Sequence, residues 1–153
     1  MTQLELKIPP LALFAVFAVA IAAVAYRLPS TGFPVPGHRV AAVIVVLGGI
    51  AVGIAGIVEF RRARTTVNPL APGKATSVVT TGVYRLSRNP MYLGMAAGLL
   101  GLALWWANLP GLLLVAAFCT TITRLQIQPE ERILVAHFGE AFTTYMARVR
   151  RWI

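Results

Sequence analysis

Val40-Ala-Ala-Val-Ile-Val-Val-Leu-Gly-Gly-Ile-Ala-Val-Gly-Ile-Ala-Gly-Ile-Val58 runs for nineteen residues without a charged or amide side chain. As a helix it covers about 28 Å, close to the ~30 Å of hydrocarbon in a bilayer. Further apolar runs occupy 8–26, 91–107 and 110–127, the last two being the shorter candidates for spans. Hydrophobic residues make up 58% of the 153 and charged residues only 12%, too apolar a balance for an ordinary soluble domain. The predicted fold is therefore an all-α integral membrane protein of about four transmembrane helices in two hairpins. It is a single membrane domain over 1–153, with 1–58 as the N-terminal hairpin and 59–153 as the remaining core.

The first run ends in Tyr26-Arg27-Leu28-Pro29, without a small-residue cleavage site, and so reads as a retained helix rather than a signal peptide. A net charge of +9 would suggest nucleic acid in a soluble protein. Its distribution argues otherwise, because segments 1–7, 59–90 and 124–153 hold twelve of the fourteen Lys and Arg residues. With those segments on the cytoplasmic side, both termini inside and only Arg27 and Arg39 outside, the positive-inside rule is obeyed. The expected location is a plasma or bacterial-type inner membrane. No nucleic-acid partner is expected, while the basic inner surface suits anionic membrane lipid.

The polar inventory narrows the chemistry. There is no Asp, and the acids are Glu5, Glu59, Glu130, Glu131 and Glu140. Paired-carboxylate hydrolysis and carboxylate-rich metal sites are poorly supplied. Cys119, the single cysteine, sits within the fourth apolar run and reads as a packing residue, so neither a disulfide framework nor a metal site is expected.

The loop Leu28-Pro-Ser-Thr-Gly-Phe-Pro-Val-Pro-Gly37 is dense in helix breakers and predicts an irregular outer connection, with His38 at its edge as an interfacial residue. The second hairpin turns at Ala107-Asn-Leu-Pro-Gly111, just after Trp105 and Trp106, whose indoles suit the headgroup level. Gly49, Gly53 and Gly56, with Gly94 and Gly98, have the small-residue spacing that lets helices approach closely, within one chain or between two. That spacing leaves the oligomeric state open.

Segment 59–90 is long for a connector and is expected to fold back as a re-entrant or surface element at the inner face. After Gln128-Pro129, apolar residues at Leu134, Phe138, Phe142, Tyr145 and Val149 draw one face of an amphipathic C-terminal helix, bent near Gly139, lying on or near the inner membrane surface. His137 falls on its surface.

A tight outer turn makes the third and fourth helices antiparallel neighbours. The start of one then meets the end of the other, bringing Arg88, Asn89 and Tyr92 opposite Gln128, Glu130 and Glu131. Pro90 suits the first helical turn, where its missing N–H is harmless and the following backbone donors favour an anion. Arg85 and Arg88 offer further donors, and Glu130 or Glu131 an acceptor for an ammonium or hydroxyl group. The cluster suits a zwitterionic small molecule. The same residues are equally consistent with topology determinants, interfacial tyrosines and an acidic first helical turn.

Thr65-Thr-Val-Asn-Pro69, Thr80-Thr-Gly-Val-Tyr-Arg-Leu-Ser-Arg-Asn-Pro-Met-Tyr-Leu-Gly94, Glu130-Glu131-Arg-Ile-Leu-Val-Ala-His-Phe-Gly139 and the stretch from Tyr145 to Arg151 together resemble the isoprenylcysteine carboxyl methyltransferase and phospholipid methyltransferase-like superfamily. The resemblance implies an integral membrane methyltransferase using S-adenosylmethionine without a Rossmann domain. It further implies that Gly82, Val83, Tyr84, Arg88, Asn89, Pro90, Tyr92, Gly94, Glu130 and Glu131 line the cofactor pocket. Arg88, Glu130, Glu131 and Arg148 are the candidates for the chemistry, with Arg148 or Arg151 orienting an anionic acceptor. The acceptor is expected to be small or lipophilic: an isoprenylcysteine-like carboxylate, a phospholipid amine or a thiol. Phe142 stands where many relatives carry Tyr, and Asn89 where the isoprenylcysteine enzymes typically carry His; since an amide cannot serve as a base near neutral pH, the isoprenylcysteine substrate itself is not implied. A sterol-reductase-like NADPH enzyme and a non-catalytic lipid- or protein-binding component are the competing readings.

Overall fold

The computed structural model describes residues 5–32, 35–64 and 75–153; Thr65 to Pro69 of the resemblance therefore lies outside the described residues. The architecture is all helical, with no β-strand among the described residues: α1 (Pro10–Arg27), α2 (His38–Arg62), α3 (Pro90–Trp105), α4 (Leu109–Ile122), α5 (Gln128–Phe138) and α6 (Glu140–Arg148). Helices α1 and α2 are each long and apolar enough to cross a membrane, as is the continuous helical stretch Leu109–Phe138. Helix α3, at 16 residues, is the shorter apolar partner, reaching about 24 Å.

Helix α3 is the centre of the bundle. Its apolar residues Tyr92, Ala96, Leu99 and Ala103 join Leu13 and Ile21 of α1 and Phe118 and Ile122 of α4 in the main core, where Phe17 meets Phe118 edge to face at 5.6 Å. Helix α2 attaches differently. Its buried residues are Ala42, Gly49, Gly56 and Glu59, and a methyl group placed on Gly94 would come within 2.6 Å of the Gly49 carbonyl oxygen. The α2–α3 contact is thus backbone against backbone, which only glycine permits. Val40 and Ile44 of α2 stay exposed, as a lipid-facing surface requires.

At the end of the bundle where α3 hands over to α4, Asn108 caps α4 by accepting from Gly111 N at 3.1 Å, and its amide donates to Thr31 Oγ1 at 2.8 Å. The loop expected to be merely irregular holds a 3-10 turn at Pro29–Thr31 and is pinned by this buried side chain. His38 is more than interfacial, because its Nδ1 lies 2.9 Å from the Leu104 carbonyl oxygen.

The helix that holds the fourth apolar run does not end at Gln128-Pro129. A π-helical turn at Thr123–Ile127 carries the chain straight into α5, and Gly139, with φ of +55°, breaks it before α6. Gln126 of the π turn is fully buried, and its Nε2 donates to the Ile8 carbonyl at 2.6 Å, holding segment 5–9 against this junction.

The amphipathic face of α5 and α6 is spent on protein. Leu134, Phe138, Phe142, Tyr145 and Val149 pack with Phe60, Val78, Val79, Val83 and Tyr84, so the second half of segment 59–90 folds back as a cover over these helices.

Candidate functional site

A cleft lies where α3 starts and α5 begins. Where the π turn runs into α5, the lining residues Ile127, Glu130, Glu131 and Leu134 recur at i, i+3, i+4 and i+7, one face of the continuous helix. Phe142 and Tyr145 of α6 form a second wall, Arg88, Asn89, Met91 and Tyr92 a third, and Phe60, Tyr84 and residues 77–79 close the cleft. Its volume is about 110 Å³.

The two neighbouring carboxylates have different partners. Glu131 is buried and receives two arginines: Arg88 Nη2 lies 3.2 Å from Oε1, while Arg151 approaches with Nε at 3.1 Å from Oε1 and Nη2 at 2.6 Å from Oε2. Among the described residues no cation pairs with Glu130. Its Oε1 accepts from the Tyr92 hydroxyl at 2.5 Å. Glu130 sits three residues past the Thr123–Ile127 turn, beyond the apolar stretch 109–127 that crosses the membrane. Burial pushes its pKa up from 4.5 to about 8; the Tyr92 bond offsets part of this and the Glu131 charge adds to it. At neutral pH Glu130 therefore holds its proton.

Polar atoms without partners also face this region. Nε and Nη1 of Arg88 and the hydroxyl of Tyr84 are buried without a hydrogen-bond partner among the described residues. Leaving such donors unpaired costs stability, which marks a place where a bound group would complete the bonding. Burial also pushes the Tyr84 and Tyr145 hydroxyls up, so both stay protonated, and Tyr145 donates to the Tyr84 carbonyl at 2.7 Å. Phe60 and Tyr84 meet edge to face at 5.3 Å, and Phe142 and Tyr145 stand 6.0 Å apart. Five aromatic rings beside one uncompensated carboxyl make an environment that accepts a cation over ring faces.

Arg88, Asn89, Tyr92, Glu130 and Glu131 share the cleft with Tyr84, whereas Gln128, expected opposite them, does not line it. Gly82, Val83, Pro90 and Gly94 do not line it. Gly82, with φ of +55°, lets the chain pass Glu59, whose carboxyl carbon would lie 2.6 Å from an added methyl. Val83 packs with the second apolar cluster, Pro90 opens α3, and Gly94 carries the α2 contact. Arg85 and Arg148 are exposed and outside the cleft; it is Arg151 that reaches Glu131.

Phe60, Val78, Val79, Ile127 and Leu134 were not anticipated as lining residues. The i, i+3, i+4, i+7 spacing around Glu130 and Glu131 was a usable signal for Ile127 and Leu134. Nothing local marked Phe60. Buried Glu59 was also missed: it accepts from Thr81 Oγ1 and pairs with Arg62 at 3.0 Å, tying the end of α2 to the start of the cover.

The phospholipid methyltransferase family model matches residues 38–141. The chain belongs to the phospholipid methyltransferase family. The match extends from the start of α2 into α6 and includes Arg88, Tyr92, Glu130 and Glu131, while Arg148 and Arg151 lie past it. An uncharacterised protein of Haemophilus influenzae is 38% identical over 63 residues, which are 41% of this chain and the whole of that relative. No solved structure matches the chain. A phospholipid methyltransferase family membership, on a bundle with three membrane-length helices and a shorter apolar one, makes this a membrane methyltransferase.

Proposed function

We propose that this membrane methyltransferase uses S-adenosylmethionine and acts on an amine carried by a lipophilic acceptor. The observation that carries the reading is the unequal pair in the cleft: Glu131 saturated by two arginines, Glu130 without a cation among the described residues and pushed up to about 8. The donor set fits the methyl donor. Arg88 Nε and Nη1 suit its carboxylate, the aromatic rings its sulfonium, and the Tyr84 hydroxyl a further polar group. When bound, S-adenosylmethionine supplies an activated methyl group that needs no further electrophilic assistance.

The residues of the chain then have two tasks. They position and desolvate the reactants, and they remove a proton from an ammonium acceptor. Ionised Glu130 takes that proton and frees the nitrogen lone pair; Tyr92 steadies the carboxylate through its hydroxyl. A base near pH 8 matches a weakly acidic ammonium far better than an ordinary carboxylate would.

The lipophilic part of the acceptor has a place to lie. Helices α1 and α2 both pack on α3 yet stand apart, leaving an apolar groove of about 890 Å³ that runs from Trp105 past Val46 and Ile50 to Ile57. Met91 lines both this groove and the polar cleft. An aliphatic tail in the groove would reach the cleft past that side chain. The cleft is smaller than the few hundred Å³ that ligand pockets usually offer. Binding would therefore spread its walls, and residues 77–79, which belong to no helix, are the part that yields.

Isothermal titration of the detergent-purified protein with S-adenosylhomocysteine and, separately, NADPH tests the donor. Saturable S-adenosylhomocysteine binding that Arg88→Ala abolishes, with hydrogen-exchange protection appearing at residues 77–79, is expected. Binding of NADPH alone would sink the proposal. Membranes incubated with labelled S-adenosylmethionine then identify the acceptor, and label recovered as a carboxyl ester or thioether instead of an N-methyl product would overturn the amine assignment.

A further inference from the structure

The segment after α6 turns extended at Val149 and lies along the residues that precede α3. Arg88 N donates to the Arg150 carbonyl at 3.1 Å, and Asn89 Nδ2 donates to the Arg151 carbonyl at 2.9 Å. Trp152 packs against the main core beyond them. Backbone and side chain of Arg151 are therefore both fixed, the first by Asn89 and the second by Glu131. Asn89 is thus a clasp for this segment rather than a titrating group.

The clasp has a consequence for Arg88. A guanidinium beside a buried carboxylate gains most from a two-pronged pair, in which two N–H groups meet both oxygens. Here Arg151 occupies that two-pronged position, taking Oε2 at 2.6 Å and sharing Oε1. Arg88 is left a single contact through Nη2 at 3.2 Å, and its Nε and Nη1 are not used by Glu131. Without Arg151, the uncompensated charge on Glu131 would draw Arg88 into the vacated geometry and turn those donors away from the cleft.

We infer that Arg151 is a positioning residue: by saturating Glu131 it keeps the remaining donors of Arg88 available to the anionic group of the bound ligand. This rests on the donor reading above, with the ligand carboxylate as that anionic group. Arg151 itself touches no ligand in this scheme.

The test compares two probes on the full-length protein in detergent. S-adenosylhomocysteine carries the carboxylate, whereas 5′-methylthioadenosine keeps the nucleoside and thioether without it. Arg151→Gln is expected to weaken S-adenosylhomocysteine about tenfold or more while leaving 5′-methylthioadenosine within about twofold. In the double variant Arg151→Gln/Glu131→Gln no carboxylate remains to capture Arg88, so most of the lost affinity should return. Equal weakening of both probes, no change in either, or no recovery in the double variant would each overturn the inference. Retained 5′-methylthioadenosine binding also reports that the variant is folded. If the unsubstituted protein binds neither probe, it is the donor reading that fails, an outcome distinct from failure of the Arg151 role.

Discussion

The Tyr92 hydroxyl donates to Glu130 Oε1 at 2.5 Å, joining the first turn of α3 to the first turn of α5 across 38 residues of sequence. The bond stabilises the ionised carboxylate and so opposes the burial that pushes Glu130 up. Tyr92→Phe removes the opposition, and the pKa of Glu130 should rise further. The pH–rate profile is expected to climb through about pH 8 in the unsubstituted protein and to shift upward by about one unit in Tyr92→Phe. An unshifted profile would mean that Glu130 does not control the rate.

Glu130→Gln keeps the shape of the side chain and removes its titration. Turnover should fall by about 10²- to 10⁴-fold, while S-adenosylhomocysteine affinity changes little. The thermal midpoint gives an independent reading. With its folded pKa raised from 4.5 to about 8, Glu130 favours the fold most fully below pH 4.5, and that contribution is lost as pH rises toward 8. Melting temperature should therefore decline across this window in the unsubstituted protein and decline less in Glu130→Gln.

The α2–α3 contact predicts a contrast between two glycines. Gly94→Ala drives a methyl into the Gly49 carbonyl and should cost about 1–3 kcal/mol in detergent unfolding. Gly48→Ala meets nothing within 4 Å and should stay within about 0.5 kcal/mol of the unsubstituted protein. Equal effects would place the close approach elsewhere.

Arg148→Ala should leave S-adenosylhomocysteine affinity within about twofold, because the side chain is exposed in the last turn of α6 and lies outside the cleft. Titration beside Arg88→Ala checks this. A loss comparable to that of Arg88→Ala would return Arg148 to the site.

The membrane class was legible because it depends on uninterrupted apolar length, a property of the chain read in order. Residues 40–58 and the turn at Asn108 needed no partner to be recognised, and the short turn forced α3 and α4 together, so the meeting of Arg88 and Tyr92 with Glu130 and Glu131 followed. The limits came from side-chain direction. Arg148 and Arg151 are three residues apart in a run of basic residues, and only the break into extended chain at Val149 turns Arg151 toward Glu131. Gly82 and Gly94 belong to the same motif as Tyr84 and Arg88, yet they serve close packing, which no motif distinguishes from ligand contact.

The sequence by itself determined that the chain is helical, spans a membrane and gathers its scarce charges at one end of the bundle, because hydropathy and helix length act locally. The tertiary structure decided that Glu130 and Glu131, identical neighbours in sequence, take different partners, a tyrosine hydroxyl for the first and two arginines for the second. That difference comes from burial and from which cations reach which carboxylate, and those partners arrive from α3 and from the segment after α6.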